Sequence, residues 1–151
     1  IQGFIAAAVV DSESGMMFAS EVRGNFAIEM AAAANTEVVK AKLQAMKGIG
    51  LGDDYIEDIL ITLGTQYHLI RPLKMNPSIF IYLAVSNSGA NLGMIRVTMK
   101  KAEGLIKSIW SESVAFLYTS SSIFWTETVA VVVFVVALLA QRQTLLQDKI
   151  A

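Results

Sequence analysis

The sequence predicts an α/β domain: a five-stranded antiparallel sheet flanked by helices, with the element order ββαβββα, followed by a hydrophobic C-terminal segment. Short runs rich in β-branched and aromatic residues, separated by Gly, Asn and Pro, predict the strands. Two longer stretches with apolar residues at helical spacing predict the helices. Two strand runs, Phe4 to Val10 and Ile79 to Val85, contain no polar residue, so we expect helices to cover both faces of the sheet.

A hairpin is predicted at the start of the chain. Gly3 to Asp11 is a mostly apolar run, and the turn-forming cluster Asp11 to Gly15 follows it. Met16 to Val22 then resumes as a second strand.

The first helix is predicted from about Phe26 to Lys47, with Asn25 as its N-cap. Ala31 to Ala34 make one flank of this helix thin, which permits the close approach of another helix. Its apolar residues at helical spacing are Ile28, Ala32, Val39, Leu43 and Met46. Three glycines, Gly48, Gly50 and Gly52, end the helix.

Three strands follow the glycines. The first is predicted from Ile56 to Leu63, the second ends at Leu73, and the third runs from Ser78 to Val85. The break between the last two is the turn-forming run Lys74 to Pro77.

The last helix is predicted to begin after Asn91, which is a suitable N-cap. Its apolar stripe is formed by Leu92, Ile95, Met99, Ala102 and Ile106.

Composition limits the function classes. The chain of 151 residues is long enough for one domain and an appendage, and a net charge of −1 argues against nucleic-acid binding. The absence of cysteine suits a reducing compartment, so we expect a cytoplasmic protein. The hydrophobic share of 54% is more than a small monomer readily hides, so we expect a partner or a membrane to cover part of the surface.

Candidate chemical sites are few. His68 is the only histidine, and no Gly-x-Ser-x-Gly motif accompanies it, so a structural strand histidine is favoured over a catalytic one. The run Gly48 to Gly52 superficially resembles a phosphate loop, but it follows a helix and lacks the Lys-Ser/Thr pair, which favours a helix exit. We therefore expect a protein without catalytic residues or a cofactor.

Charged residues of the strand region have structural interpretations as well. Asp53, Asp54, Glu57 and Asp58 lack a metal-ligand spacing, and Glu57 and Asp58 are expected on opposite faces of a strand. No metal site is therefore expected. An internal ion pair is the favoured role for Arg71.

Several of these segments also resemble one family. The segments AAAVVDSESGM, IEDILI, YHLIRPL, NPSIFIYLAV and ANLGMIRVTMKKAE occur in the order found in the roadblock/dynein light chain family, particularly in its bacterial single-domain members. The resemblance covers residues 1–106. It implies a non-enzymatic regulatory or scaffold subunit for a Ras-like small GTPase. The family usually begins with a helix before its first strand, whereas this chain starts at the strand.

The resemblance also implies a homodimer that pairs the first helix and the third strand with those of a second copy. The residues assigned to this interface are Ile28, Ala31, Ala32, Asn35, Val39, Ile56, Asp58 and Leu60. Outward residues of the paired helices, Glu29, Lys40 and Lys47, are then expected to meet the GTPase. Arg71 and Arg96 lie in apolar contexts, so neither is expected to be an arginine finger.

The C-terminal extension, residues 107–151, does not match the family. It contains the uninterrupted apolar run Val129 to Ala140, and residues 123–140 approach the roughly 20 residues that span a bilayer. A membrane helix, a buried core segment and a foreign extension all remain open. A membrane-anchored adaptor or secretion-apparatus component that uses the same dimer is therefore the alternative function.

Overall fold

The computed structural model describes the backbone of residues 1–116 and the side chains of residues 1–107. The elements are β1 (Phe4–Asp11), β2 (Met17–Val22), α1 (Ile28–Gly48), β3 (Ile59–Thr62), β4 (Gln66–Leu73), β5 (Asn76–Ser86) and α2 (Leu92–Phe116). The predicted order ββαβββα is confirmed. The predicted domain boundary at residue 106 falls within α2, and most of the extension 107–151 lies outside the described residues.

The five strands form one antiparallel sheet in the order β2-β1-β5-β4-β3. The two entirely apolar runs, in β1 and β5, lie at its centre. Within the described part of the chain, β2 and β3 are the edges, and each presents one row of backbone groups that no other strand pairs.

Alternate residues of the central strands pack against different helices. In β5, Phe80, Tyr82 and Ala84 lie in the core with α1, whereas Ile81 and Leu83 lie in the core with α2. The prediction of helices on both sides of the sheet is therefore confirmed. The reason is the period of two in strand side chains, which gives an apolar strand two faces to bury.

The β1–β2 hairpin turns where the sequence predicts. The carboxylate of Asp11 accepts hydrogen bonds from the backbone N–H of Glu13 at 3.0 Å and from the Ser14 hydroxyl at 2.5 Å. Gly15 follows with a φ of 73°, which a residue without Cβ adopts readily. The Ser14 hydroxyl lowers the pKa of Asp11 because it stabilises the carboxylate.

The start of α1 differs from the prediction. Asn25 is not the N-cap: the helix begins at Ile28, the cap position is Ala27, and no side chain caps it. The glycine-rich exit behaves as predicted. Gly50 has a φ of 79°, the Leu51 N–H donates to Met46 O at 2.8 Å, and the Gly50 N–H donates to Lys47 O at 3.3 Å. These two bonds are a Schellman motif, so this run terminates a helix.

Two strand boundaries also differ. β3 is shorter than predicted, and β5 begins at Asn76, inside the run predicted as a loop. Leu73 pairs with Asn76 around a two-residue turn, so the Asn-Pro signal lies at the start of a strand, where proline's fixed φ is compatible with extended backbone.

The last helix begins as predicted. The Oδ1 of Asn91 accepts a hydrogen bond from the Met94 N–H at 3.0 Å, which is N-cap geometry. The predicted stripe is buried at Ile95, Met99, Ala102 and Ile106 and partly buried at Leu92. In the described residues, no helix combines the length and apolar character that crossing a membrane requires, and the predicted span 123–140 lies outside them.

Candidate protein-interaction site

The outward side of α1 carries small and apolar residues. Met30, Ala33, Ala34, Ala41 and Ala45 are all exposed, and Met30 is 76% exposed. Their spacing places them along one side of the helix, opposite the residues that pack on the sheet. We call these five residues the outward stripe. Such a stripe offers a thin surface on which a second helix can pack closely.

The structure separates this stripe from most of the α1 residues that were predicted for the dimer interface. Ile28, Ala32, Asn35 and Val39 are buried in the chain's own core, and Ala31 is half-buried. In the single chain these four residues offer almost no surface to a second copy. Ile28, Ala32 and Val39 belong to the apolar stripe that helical spacing marks for burial, and the sequence pattern does not tell whether a sheet or a second helix covers such a stripe.

The predicted interface residues near β3 are placed differently. Leu60 is half-buried against the core on the α2 side, and Ile56 precedes the strand. The carboxylate of Asp58 accepts two hydrogen bonds from Arg96 of α2, one from Nε at 2.8 Å and one from Nη2 at 3.0 Å. Asp58 therefore has a partner within its own chain. What remains available for pairing is the open edge of β3 itself.

The three residues predicted to meet a partner lie together on one flank of α1. Glu29, Lys40 and Lys47 are exposed, and separations of seven and eleven residues place them on the same side of a helix. Lys40 and Lys47 also line a shallow cavity of about 290 Å³ with Ser12 and Pro77. Lys40 lies 3.4 Å from Glu37, an exposed pair that restrains it little.

A polar cluster lies beneath α1. His68 Nε2 is 2.9 Å from Gln66 Oε1, and His68 Nδ1 is 3.1 Å from the Tyr82 hydroxyl. The rings of Phe26 and Tyr82 meet the imidazole edge to face. Asn35 of α1 interacts with the same hydroxyl. The histidine is thus held by the fold, as its structural interpretation predicts.

Burial lowers the pKa of His68 and raises the pKa of Tyr82 to about 12. The Tyr82 hydroxyl therefore stays protonated near neutral pH and can donate to the unprotonated Nδ1. Protonation of His68 would remove that acceptor.

We expect the free energy of unfolding to decrease as pH falls below about 6.5, the ordinary histidine value, because the unfolded chain then takes up a proton that folded His68 resists. The decrease should level off below the folded-state pKa. Urea unfolding between pH 5 and 7.5 measures this dependence, and His68→Gln should flatten it. An unchanged slope in His68→Gln would rule out His68 as the source.

Arg71 forms the internal ion pair that the sequence favoured. Its side chain is 6% exposed, its Nε donates to Glu103 Oε2 at 2.7 Å, and its Nη2 lies 3.6 Å from Glu57 Oε1. The prediction that Glu57 and Asp58 lie on opposite strand faces is wrong, because both precede β3 and both pair with arginines on the α2 side. Arg71 and Arg96 thus tie the sheet region to α2.

Metal-binding side chains are not gathered at one place in the described residues. Among residues 1–107, no three acidic or histidine side chains are grouped so that they could hold a metal ion. Three surfaces of this part of the chain suit protein contacts: the outward stripe, the open edge of β3, and the flank of α1 with Glu29, Lys40 and Lys47, which we call the lysine flank.

Sequence comparison finds no matching family model and no matching curated protein. Solved structures match the fold. Myxococcus xanthus MglB aligns with a TM-score of 0.63 at 17% identity, over 72% of this chain and 85% of that chain. A Roadblock/LC7 domain from Streptomyces avermitilis aligns with a TM-score of 0.60 at 11% identity, over 72% of this chain and 87% of that chain.

The gliding protein MglB from Thermus thermophilus aligns with a TM-score of 0.57 at 14% identity, over 68% of this chain and 74% of that chain. A two-sided, five-stranded antiparallel sheet with this order of elements is thus shared with roadblock structures despite low identity. The resemblance in the sequence is confirmed at the level of the fold: the described part of this chain has a roadblock-type fold.

Proposed function

We propose that the chain is a non-enzymatic, homodimeric regulatory or scaffold subunit for a Ras-like small GTPase. The observation that carries the proposal is the outward stripe of α1 next to the lysine flank, on a roadblock-type fold. Pairing of α1 with α1 and of β3 with β3 would bury the stripe and the open strand edge together. One broad surface then crosses the two-fold axis, bordered by Glu29, Lys40 and Lys47.

Regulation by such a subunit would act through the GTPase's own switch loops. Arg71 and Arg96 are both ion-paired within the chain, so neither is free to enter a GTPase site as an arginine finger. We expect the chain alone to bind neither GTP nor ATP in calorimetry. Saturable micromolar binding of either nucleotide would contradict the proposal.

Charge reversal on the lysine flank tests whether a Ras-like GTPase binds this surface. Purified Ras-like GTPases from the source organism, each loaded with GDP or a GTP analogue, are titrated with the chain. We expect one of them to bind and Lys40→Glu with Lys47→Glu to weaken that binding at least about tenfold, since two attractive contacts become repulsive. The control is Lys42→Glu, an exposed lysine on another side of α1, compared with Lys40→Glu and Lys47→Glu as single variants that make the same change in net charge. Equal weakening by the control, or binding by no GTPase, would refute the assignment.

The alternative is a membrane-anchored adaptor that uses the same dimer. It is supported by the apolar run Val129 to Ala140 in the sequence. Flotation of the full chain with lipid vesicles, compared with a chain that ends at residue 116, distinguishes the two. Flotation of the full chain alone would favour the adaptor.

A further inference from the structure

A cavity of about 450 Å³ lies on the α2 side of the sheet, away from the outward stripe and the lysine flank. One wall is the turn between β4 and β5 with the chain just before β3, and the other is α2. The lining residues on which the site depends are Tyr55, Arg71, Lys74, Met75, Lys100 and Gly104. We call this the α2 pocket.

The α2 pocket is basic although the whole chain is nearly neutral. Four cationic side chains line it, Arg71, Lys74, Lys100 and Lys107, against two carboxylates, so its formal charge is +2. Lys100 and Lys107 are exposed and two helical turns apart on α2, so they lie on the same side. The concentration of positive charge in a half-open cavity attracts anionic groups.

Arg71 keeps hydrogen-bonding capacity for a ligand. A guanidinium has five N–H donors, and the short contact to Glu103 at 2.7 Å involves only Nε. Nη2 lies 3.6 Å from Glu57, which is longer than a hydrogen bond. Arg71 lines the pocket, and its terminal nitrogens carry donors that these two contacts do not use.

The mouth is shaped by an aromatic ring and a glycine. Lys74 Nζ lies 4.1 Å from the ring centroid of Tyr55, a cation–π contact that holds the ammonium at the pocket. Tyr55 and Met75 are about half exposed. Gly104 lies within α2, where glycine is disfavoured, and no atom lies within 4 Å of the position a Cβ would take. Packing therefore does not require a glycine here. Because Gly104 has no side chain, space is left for a ligand beside this turn of α2.

We propose that the α2 pocket binds a short acidic peptide segment of a partner protein, with two carboxylates beside one apolar side chain. The two negative charges match the excess charge, and the apolar side chain packs on Tyr55 and Met75. A phosphate ester alone would leave that apolar wall uncovered. This site is independent of the proposed GTPase surface, which lies on the other side of the sheet.

Fluorescence anisotropy of the full chain with a labelled peptide, acetyl-Gly-Asp-Phe-Glu-Gly-amide, tests the site. We expect saturable binding that weakens as salt increases, and at least tenfold weaker binding by Lys100→Glu. Lys42→Glu makes the same change in net charge far from the pocket and should bind normally. The Asn/Gln version of the peptide should not bind.

A substitution of Gly104 tests whether the shape of the α2 pocket, apart from its charge, determines peptide binding. Gly104→Leu should weaken peptide binding while the melting temperature is kept or raised, because leucine favours a helix and partly fills the mouth. Failure of the peptide to bind, equal binding by its amide version, or equal weakening by Lys42→Glu would overturn the proposal. So would inorganic phosphate or anionic vesicles displacing the peptide at lower concentration than unlabelled peptide.

Discussion

Ala41→Glu is expected to convert the dimer into a folded monomer. Ala41 is exposed in the single chain and lies in the middle of the outward stripe, so the substitution adds no strain to the fold. In the proposed dimer the glutamate would be buried against a second α1 without a partner. An unpaired buried charge costs about 3–5 kcal/mol, which weakens association by more than two orders of magnitude. Sedimentation at micromolar concentration measures the change.

Two controls make this result specific. Ser20→Glu places the same charge at an exposed position of β2, the opposite edge of the sheet, and should leave the dimer intact. Ala32→Asp should unfold the chain, because Ala32 is buried against its own sheet. A native chain that sediments as a monomer, or an Ala41→Glu variant that still dimerises, would refute the interface.

Arg71→Ala is expected to destabilise the fold by about 3 kcal/mol. It removes a guanidinium that is only 6% exposed and leaves the Glu103 carboxylate, 16% exposed, without its cationic partner, although the Lys74 N–H still donates to it at 2.9 Å. Arg96→Ala should cost about 1 kcal/mol or less. Arg96 is itself 45% exposed, so its removal lets water reach the Asp58 carboxylate, which is 12% exposed beside it. Urea unfolding of both variants measures the difference. The comparison is matched, since each arginine takes part in an ion pair between α2 and the sheet region on the same side of the sheet.

A third variant tests the cause of the loss. Arg71→Met with Glu103→Gln removes both charges, so it should recover part of the stability lost in Arg71→Ala. Equal costs for Arg71→Ala and Arg96→Ala would show that burial does not decide the strength of these pairs.

Where a GTPase is stimulated, Arg71→Ala should lower stability without abolishing stimulation. Lost stimulation with intact folding and binding would instead make Arg71 part of the catalytic mechanism.

The strands and helices were largely predictable because their signals are local. The apolar runs of β1 and β5, the glycine exit of α1 and the Asn91 cap each depend on residues that are adjacent or one turn apart. Two local signals gave wrong predictions, because the same residue type is compatible with more than one backbone position. Asn25 has the chemistry of a cap but lies too far before Ile28, and Pro77 has the chemistry of a turn but adopts the extended backbone of a strand.

The candidate sites were predictable only in part. Helical periodicity predicts that Lys40 and Lys47 are exposed, and they are. Their role in binding a partner stays a prediction. The α2 pocket was missed because its walls come from three separate segments, and only Gly104, a glycine inside a helical pattern, was a signal in the sequence.

By itself, the sequence determined the type and order of the elements and the need to cover both faces of the central strands, because these properties follow from side-chain periodicity along the chain. Tertiary structure alone decided what covers the apolar stripe of α1, since helical periodicity marks a face for burial but does not tell whether the chain's own sheet or a second copy covers it. It also decided the partners of Arg71 and Arg96, which are 32 and 38 residues away. Contacts at such separations depend on how the helices are placed on the sheet, and no local pattern records that placement.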